Sequence, residues 1–191
     1  MIEMLEMPPL PEGLPVPEDD GACDHLIGMS LPPVNLVSSS RQLVNMAALR
    51  GLNVIYIYPM SGEDDSVLPD NWDSIPGARG CTPQSCSFRD HQKELSEFGA
   101  NVFGLATQTS DYLAGEVTRI HLPYDLLSDE HLAFQSALSL PVFDIKVAGT
   151  TVLKRVTLIC DDARISHIFY PVFPPDKSAQ HVVDWLRQSR E

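Results

Sequence analysis

The sequence contains few cysteines and little positive charge. Four cysteines occur in 191 residues, at positions 23, 81, 86 and 160. They form no paired Cys-x2-Cys clusters, and the histidines lack the spacing of a zinc finger. Lysine and arginine total 13 against 26 acidic residues, for a formal net charge of −13. We therefore expect neither a structural metal site nor a function on nucleic acid or an anionic membrane surface.

Long apolar runs are also absent. No run reaches the roughly 18 residues of a membrane-spanning helix. The N-terminus has no basic region followed by an apolar stretch, so nothing in it is typical of a secretory signal. We therefore expect a cytoplasmic protein, in which cysteines are reduced by default and a disulfide is usually catalytic.

The first 25 residues differ in composition from the rest. Residues 1–24 hold five prolines and seven acidic residues, and no lysine or arginine precedes Arg41. This composition predicts an extended or disordered arm, since it offers little apolar surface to bury. We interpret the arm as a solvated tail rather than a docking segment. The sequence thus divides into an acidic, proline-rich arm, 1–25, and one folded domain, 26–191.

Strand and helix patterns alternate along the domain. Predicted strands are 33–37, 42–44, 53–58, 101–106, 124–127, 152–160 and 164–173. Predicted helices run from Cys81 to a stop at Gly99, over 110–121, from 128 to about 138, and from Asp176 or Ser178 onwards. A long loop, 59–80, separates the central strand from the first helix. The fold class is therefore α/β, with a central mixed sheet flanked by helices.

The most informative motif is Cys81-Thr82-Pro83-Gln84-Ser85-Cys86. A cysteine in the first turn of a helix lies among unpaired N–H groups at the positive end of the helix dipole. This position favours the thiolate, which is the nucleophilic form. Cys86 provides a second thiol five residues on, so the motif indicates a redox pair.

A disulfide between these two cysteines requires a change in the helix. Residues five apart in a regular helix have Cα atoms roughly 8.6 Å apart, whereas a disulfide needs less than about 7 Å. Pro83 removes one N–H and disfavours helical angles at Thr82, which weakens this turn. We therefore predict that the first turn unwinds on oxidation.

These elements and motifs resemble the peroxiredoxins, in particular the branch called bacterioferritin comigratory protein or peroxiredoxin Q. The resemblance runs from about Gly28 to Leu186 and includes the Cys81–Cys86 motif, 127–130 and 154–158. It implies a thioredoxin-like fold and reduction of hydrogen peroxide and organic hydroperoxides, without a bound cofactor. The electrons are expected from thioredoxin or a similar thiol reductant, and the protein is expected to be a monomer or homodimer.

The resemblance also implies roles for individual residues. Cys81 matches the peroxidatic cysteine, Cys86 the resolving cysteine, Gln84 a Glu/Gln position and Arg155 the strand arginine that pairs with the reactive sulfur. A cation is required on physical grounds too. An ordinary thiol needs about 3.4 kcal/mol to become roughly 90% thiolate at pH 7, and a helix N-terminus supplies about 2 kcal/mol at best. Arg155 is the candidate, with Arg79 as a nearer but more solvated alternative.

One position departs from the family pattern. The family places a Thr or Ser three residues before the reactive cysteine and a proline seven before it, where this chain has Ala78 and Ser74. Pro59 is interpreted as the displaced proline, followed by an insertion of some fifteen residues. Backbone N–H groups near Gly80, or the hydroxyl of Ser61, are candidates to replace the missing hydroxyl.

Two other functions remain open from the residues alone. One is a thiol–disulfide oxidoreductase on the same fold, although such carriers use Cys-x-x-Cys. The other is a redox sensor in which the acidic arm is the working part. Cys160 is predicted to be a core residue and Cys23 an incidental thiol of the arm, and Trp72 of the loop is either a lid or an interface anchor.

Overall fold

The computed structural model describes residues 9–62 and 67–190 of the chain. The start of the predicted arm and positions 63–66 of the predicted loop lie outside these ranges. The strands are β1 (Asn35–Ser38), β2 (Leu43–Asn45), β3 (Leu52–Ile57), β4 (Asn101–Ala106), β5 (Leu126–Ser128), β6 (Val142–Val147), β7 (Thr150–Leu153), β8 (Val156–Asp161) and β9 (Arg164–Phe169). The helices are α1 (Cys81–Asp90), α2 (Gln92–Glu97), α3 (Ser110–Arg119), α4 (Ala133–Leu138) and α5 (Ser178–Gln188).

Seven strands form one mixed sheet in the order β2-β1-β5-β4-β3-β8-β9. Strand β4 is parallel to both β3 and β5. Helices α1 and α2 connect β3 to β4, and α3 connects β4 to β5. Strand β8 is antiparallel to β3. Strands β6 and β7 form a separate antiparallel hairpin. This arrangement confirms the predicted α/β class with a central mixed sheet.

The central strand β3 is buried on both faces because alternate side chains enter two different cores. Val54 and Tyr56 pack with α1, α3 and α5 on one face, and Ile55 and Ile57 pack with α4 and the start of the domain on the other. All four side chains have no exposed area. This explains why the segment reads as an almost continuous apolar run.

Helix boundaries differ from the predictions in two places. The predicted helix from Cys81 to Gly99 is two helices, interrupted at His91, whose ring bonds the Ser87 carbonyl oxygen at 2.8 Å and the Gln180 side chain at 3.0 Å. The predicted helix from residue 128 begins at Ala133. Its N-terminal N–H groups are capped by the buried Asp129, which accepts hydrogen bonds from Phe134 (3.0 Å) and Gln135 (2.8 Å).

The prediction of one strand over 152–160 was also wrong, because this segment contains the end of β7 and most of β8. The chain leaves the β6–β7 hairpin at Leu153 and enters the main sheet at Val156, so that Lys154 and Arg155 lie in the connection. The hairpin itself was not predicted. Its side chains Phe143, Val147 and Val152 form a third apolar cluster with Trp72 and Ala78 of the long loop. Part of that loop is therefore packed on the domain.

The described part of the arm also contacts the domain. Cys23 is only 3% exposed and belongs to the core beneath the sheet, with Leu26. Asp20 accepts hydrogen bonds of 2.8 Å from Lys154 Nζ and from the Tyr170 hydroxyl. These contacts anchor the arm at Asp20 and Cys23, while most of residues 9–22 are exposed or half-buried. The interpretation of the arm as a solvated tail and the domain boundary at residue 25 stay predictions.

Candidate active site

Cys81 is the first residue of α1, and the chain before it has little room. Gly80 has a φ of 108°, and a Cβ there would lie 2.3 Å from Pro175 Cγ. A residue with a side chain would therefore be excluded by both backbone conformation and contact. Cys81 is 5% exposed, and its thiol lies 3.7 Å from the Ala78 carbonyl oxygen. The sulfur thus lies at the N-terminal end of a ten-residue helix, almost out of solvent.

Arg155 brings a buried positive charge to this sulfur. The residue is 3% exposed, and its Nη2 lies 3.4 Å from Cys81 Sγ. The same nitrogen donates to the carbonyl oxygens of Ala78 (3.2 Å) and Arg79 (3.3 Å). A guanidinium held at this distance stabilises negative charge on the sulfur by a charge-assisted hydrogen bond.

Gln84 connects this arginine to the last helix. Its Oε1 accepts a 2.5 Å hydrogen bond from Arg155 Nη1, and its Nε2 donates to Ser178 Oγ at 3.2 Å. Gln84 has no exposed area. Because both ends of the amide are bonded, the side chain holds the guanidinium in position over the first turn of α1.

Cys86 lies in the same helix and is almost completely buried. It is 5% exposed, and burial raises the pKa of its thiol. Both cysteines of the motif are free thiols. The structure therefore brings Arg155 into contact with Cys81 and Gln84. Cys86 lies further along the same helix and packs in the same apolar core as Cys81.

A tyrosine network beneath α1 was not predicted. The Tyr56 hydroxyl lies 3.0 Å from Ser85 Oγ and 3.0 Å from the Tyr124 hydroxyl, and Tyr124 donates to the Ser85 carbonyl oxygen at 2.8 Å. Gly104 makes room for this network, because a Cβ there would lie 2.6 Å from the Tyr56 ring. These buried hydrogen bonds hold the turn of α1 that separates the two cysteines. The sequence signal that could have indicated this network is the presence of Tyr56 and Tyr124 in predicted strands.

Arg79, the alternative cation, is directed elsewhere. Its Nε forms an ion pair of 2.5 Å with Asp73 Oδ1, and its side chain is 26% exposed. Its backbone carbonyl oxygen, rather than its charge, contacts Arg155. The geometry therefore favours Arg155 as the cation at the sulfur.

Ala78, at the position of the missing hydroxyl, is completely buried. It belongs to the third cluster with Trp72, which is 3% exposed and whose ring centroid lies 6.3 Å from that of Phe143, with the two rings tilted by 54°. Trp72 is thus a packing residue of the loop and not an exposed lid. Ser61 is buried, and Gln108 bonds its backbone N–H and carbonyl at 2.9 and 2.8 Å. Its role as the replacement hydroxyl stays a prediction.

The two remaining cysteines lie away from the motif. Burial is the main cause that raises the pKa of Cys23 and of Cys160 to about 12 each. Such thiols are poor nucleophiles in the folded state. The core position of Cys160, with no exposed area, confirms the prediction made for it.

Within residues 9–62 and 67–190, no cluster of three or more His, Cys, Asp or Glu side chains has the arrangement needed to hold a metal ion. Over the same ranges, no helix combines the length and the apolar character required to span a bilayer.

Comparison with known proteins finds one family model, related sequences and a related crystal structure. The family model described as Redoxin matches residues 26–183. Peroxiredoxin Bcp of Escherichia coli strain K12 is 28% identical over 165 residues, which cover 82% of this chain and 92% of that protein. Chloroplastic peroxiredoxin Q of Sedum lineare is 24% identical over 161 residues, 84% of this chain and 77% of that protein. The crystal structure of peroxidoxin BcpB from Mycobacterium tuberculosis has a TM-score of 0.66 at 21% identity and covers 86% of this chain and 98% of that one.

Proposed function

This chain belongs to the Redoxin family and is a thiol-dependent peroxidase of the peroxiredoxin type, and we propose that Cys81 is its peroxidatic residue and Cys86 its resolving residue. The observation that carries the assignment is the 3.4 Å contact between Arg155 Nη2 and Cys81 Sγ at the start of α1. A helix N-terminus and a buried guanidinium both place positive charge at this one sulfur, where the reaction needs a nucleophile.

The first step is attack of the Cys81 thiolate on the terminal oxygen of the peroxide. An S–O bond forms and the O–O bond breaks, so that the sulfur is oxidised by two electrons to a sulfenic acid. The second oxygen leaves as an alcohol, or as water from hydrogen peroxide, after taking up a proton. Hydrogen peroxide and organic hydroperoxides both meet the requirements of this step.

The second step joins the two cysteines. The Cys86 sulfur attacks the sulfenic sulfur, the S–S bond forms, and the oxygen leaves as water. Because the helix keeps residues 81 and 86 farther apart than a disulfide allows, α1 must unwind first. Pro83 weakens the first turn, whereas Tyr56 and Tyr124 hold the next one through Ser85. The reaction therefore includes a local unfolding step opposed by these hydrogen bonds.

The cycle closes when a thiol reductant restores both cysteines. For this chain we assign that role to thioredoxin or a similar dithiol protein, on the family resemblance. We place the protein in the cytoplasm, as a monomer or homodimer.

Peroxide titration of the reduced protein tests the proposal. One equivalent of hydrogen peroxide is added, thiol loss is followed by stopped flow, and the product is mapped by peptide mass spectrometry. Rapid loss of two thiols with a Cys81–Cys86 bond is the expected result, and Cys81→Ser abolishes it. Loss at the rate of an ordinary thiol, or bonding through Cys23 or Cys160, would contradict it. The disulfide-carrier and sensor functions would then be the better explanation.

A further inference from the structure

A cavity of about 260 Å³ lies beside Arg155. Its apolar walls come from four separate parts of the chain: Pro17 of the arm, Ile75 of the long loop, Phe143 of β6 and Val172 after β9. Both the arm and the long loop were singled out in the sequence as additions to the domain. The cavity therefore exists in this form because these two segments dock on the domain.

The cavity is close to the reacting atoms. Arg155 is one of its lining residues, and the Arg155 guanidinium contacts Cys81 Sγ at 3.4 Å. Gly77 also lines it and directly precedes Ala78, whose carbonyl oxygen accepts a hydrogen bond from Arg155. Cys81 is not itself a lining residue, so the organic group of a hydroperoxide with its O–O bond at Cys81 would enter the cavity past Arg155 and Gly77.

Asp20 holds the arm wall in place. Its Oδ2 accepts a hydrogen bond from Lys154 Nζ and its Oδ1 one from the Tyr170 hydroxyl, both at 2.8 Å. Lys154 and Tyr170 line the cavity themselves. Pro17, three residues before Asp20, lies against Gly77, where an added Cβ would be 3.5 Å from Pro17 Cβ. One carboxylate therefore fixes the arm to two other residues that line the cavity.

We propose that arm residues 17 and 18 form a wall of the pocket that receives the organic group of a hydroperoxide. Asp20, which anchors this part of the arm, is then the positioning residue that sets selectivity for organic hydroperoxides over hydrogen peroxide. This inference rests on the proposed function of Cys81. Burial of an apolar group against the wall stabilises the complex with an organic hydroperoxide. Hydrogen peroxide has no such group, so its reaction does not depend on the wall in the same way.

Single-turnover kinetics of the full-length protein tests this inference. The second-order rate constants for oxidation of the reduced protein by cumene hydroperoxide and by hydrogen peroxide are measured, and their ratio is compared between variants. We expect Asp20→Asn to lower the ratio about fivefold, because the arm wall loosens. Asp19→Asn is the matched control, since the Asp19 carboxylate bonds the nearby Gly21 N–H at 2.9 Å and does not bridge to the domain; it should keep the wild-type ratio.

A second variant, Tyr170→Phe, removes one of the two donors to Asp20 and should lower the ratio by a smaller factor. A general loss of structure would reduce both rate constants together and leave the ratio unchanged. If Asp20→Asn does not fold, as judged by thermal unfolding, Tyr170→Phe decides alone. Wild-type ratios in the folded variants would overturn the inference while leaving the peroxidase intact. A wild-type protein that reacts slowly with both peroxides would overturn the proposed function, and the inference with it.

Discussion

Gln84 and Arg155 are 71 residues apart in the chain, yet Arg155 Nη1 donates a hydrogen bond of 2.5 Å to Gln84 Oε1 inside the protein. Gln84 lies in the first turn of α1 and Arg155 in the connection between β7 and β8. This contact ties the helix that carries the reactive sulfur to the cation that stabilises its negative charge. The guanidinium is thus oriented by the same turn that must unwind for the disulfide to form.

Replacement of Arg155 tests the role of that cation. We expect Arg155→Met to lower the second-order rate constant with hydrogen peroxide about 10- to 100-fold, because a hydrogen bond to a charged group contributes about 1.5–3 kcal/mol. Arg79→Met is the matched control and should have a much smaller effect, since Arg79 pairs with Asp73. The measurement is stopped-flow oxidation of reduced protein. Equal rates for wild type and Arg155→Met would show that the thiolate is stabilised by other groups.

Replacement of Cys86 separates the two chemical steps. Cys86→Ser should react with the first equivalent of peroxide at about the wild-type rate but form no intrachain disulfide. Without a resolving thiol, the sulfenic acid persists and excess peroxide oxidises it to the sulfinic acid. Intact mass spectrometry should detect one added oxygen atom and then two. Cys160→Ala is the control and should still form the disulfide; a disulfide in Cys86→Ser would identify another resolving cysteine.

Hydrogen exchange tests the unwinding of α1. Residues 82–90 should be protected in the reduced protein and exchange faster in the oxidised protein, because a Cys81–Cys86 bond is incompatible with the regular helix. Helix α4 provides an internal control, since its buried residues Phe134 and Leu138 pack in the core on the other face of the sheet. Equal protection of residues 82–90 in both states would rule out the unfolding step.

Restoring the family's hydroxyl at position 78 should not improve this enzyme. Ala78 is fully buried with Trp72 and Phe143, so Ala78→Thr overpacks this cluster. We expect a loss of about 1–3 kcal/mol in the free energy of unfolding, measured by urea denaturation, with no gain in peroxide rate. Ala78→Ser adds less volume and should cost less. A faster reaction at wild-type stability in Ala78→Thr would show that position 78 still faces the peroxide.

The contribution of Asp20 to the free energy of unfolding, made through Lys154 and Tyr170, should fall at low pH. Hydrogen bonds from Lys154 and then Tyr170 are the main causes that lower the pKa of Asp20 from 3.8 to about 2. A carboxyl with a lowered pKa stabilises the folded state above its unfolded pKa, and this contribution is lost as pH falls towards its folded pKa. The difference in unfolding free energy between wild type and Asp20→Asn should therefore be constant above about pH 5 and shrink between about pH 4 and pH 2.

Urea denaturation at several pH values measures this difference. Asp19→Asn is again the control and should show no comparable change with pH. A difference that survives undiminished at pH 2 would mean that the Asp20 carboxylate is not the group that holds the arm. Because the Asp20 side chain is 46% exposed, the expected effect is small.

Local sequence determined the features that depend on neighbours in the chain. The motif Cys81–Cys86, the start of a helix at the first cysteine and the strands β1, β2 and β3 were all predicted. Each follows from short-range chemistry: a glycine before a helix, a proline in its first turn, β-branched residues in a run. The apolar stripe of α5, with Ala179, Val182, Val183 and Leu186 buried, also follows from spacing alone.

Tertiary structure decided the features that depend on distant partners. The break at Lys154 and Arg155 is hidden in the sequence because the residues on either side are apolar and equally typical of one long strand. The arm has the composition of a solvated tail, yet Asp20 finds donors 134 and 150 residues away. Sequence composition reports how much apolar surface a segment can bury, but it does not report which single polar contacts the folded domain offers. For this reason the cysteine pair could be found from the sequence, whereas the pocket beside Arg155 required the folded chain.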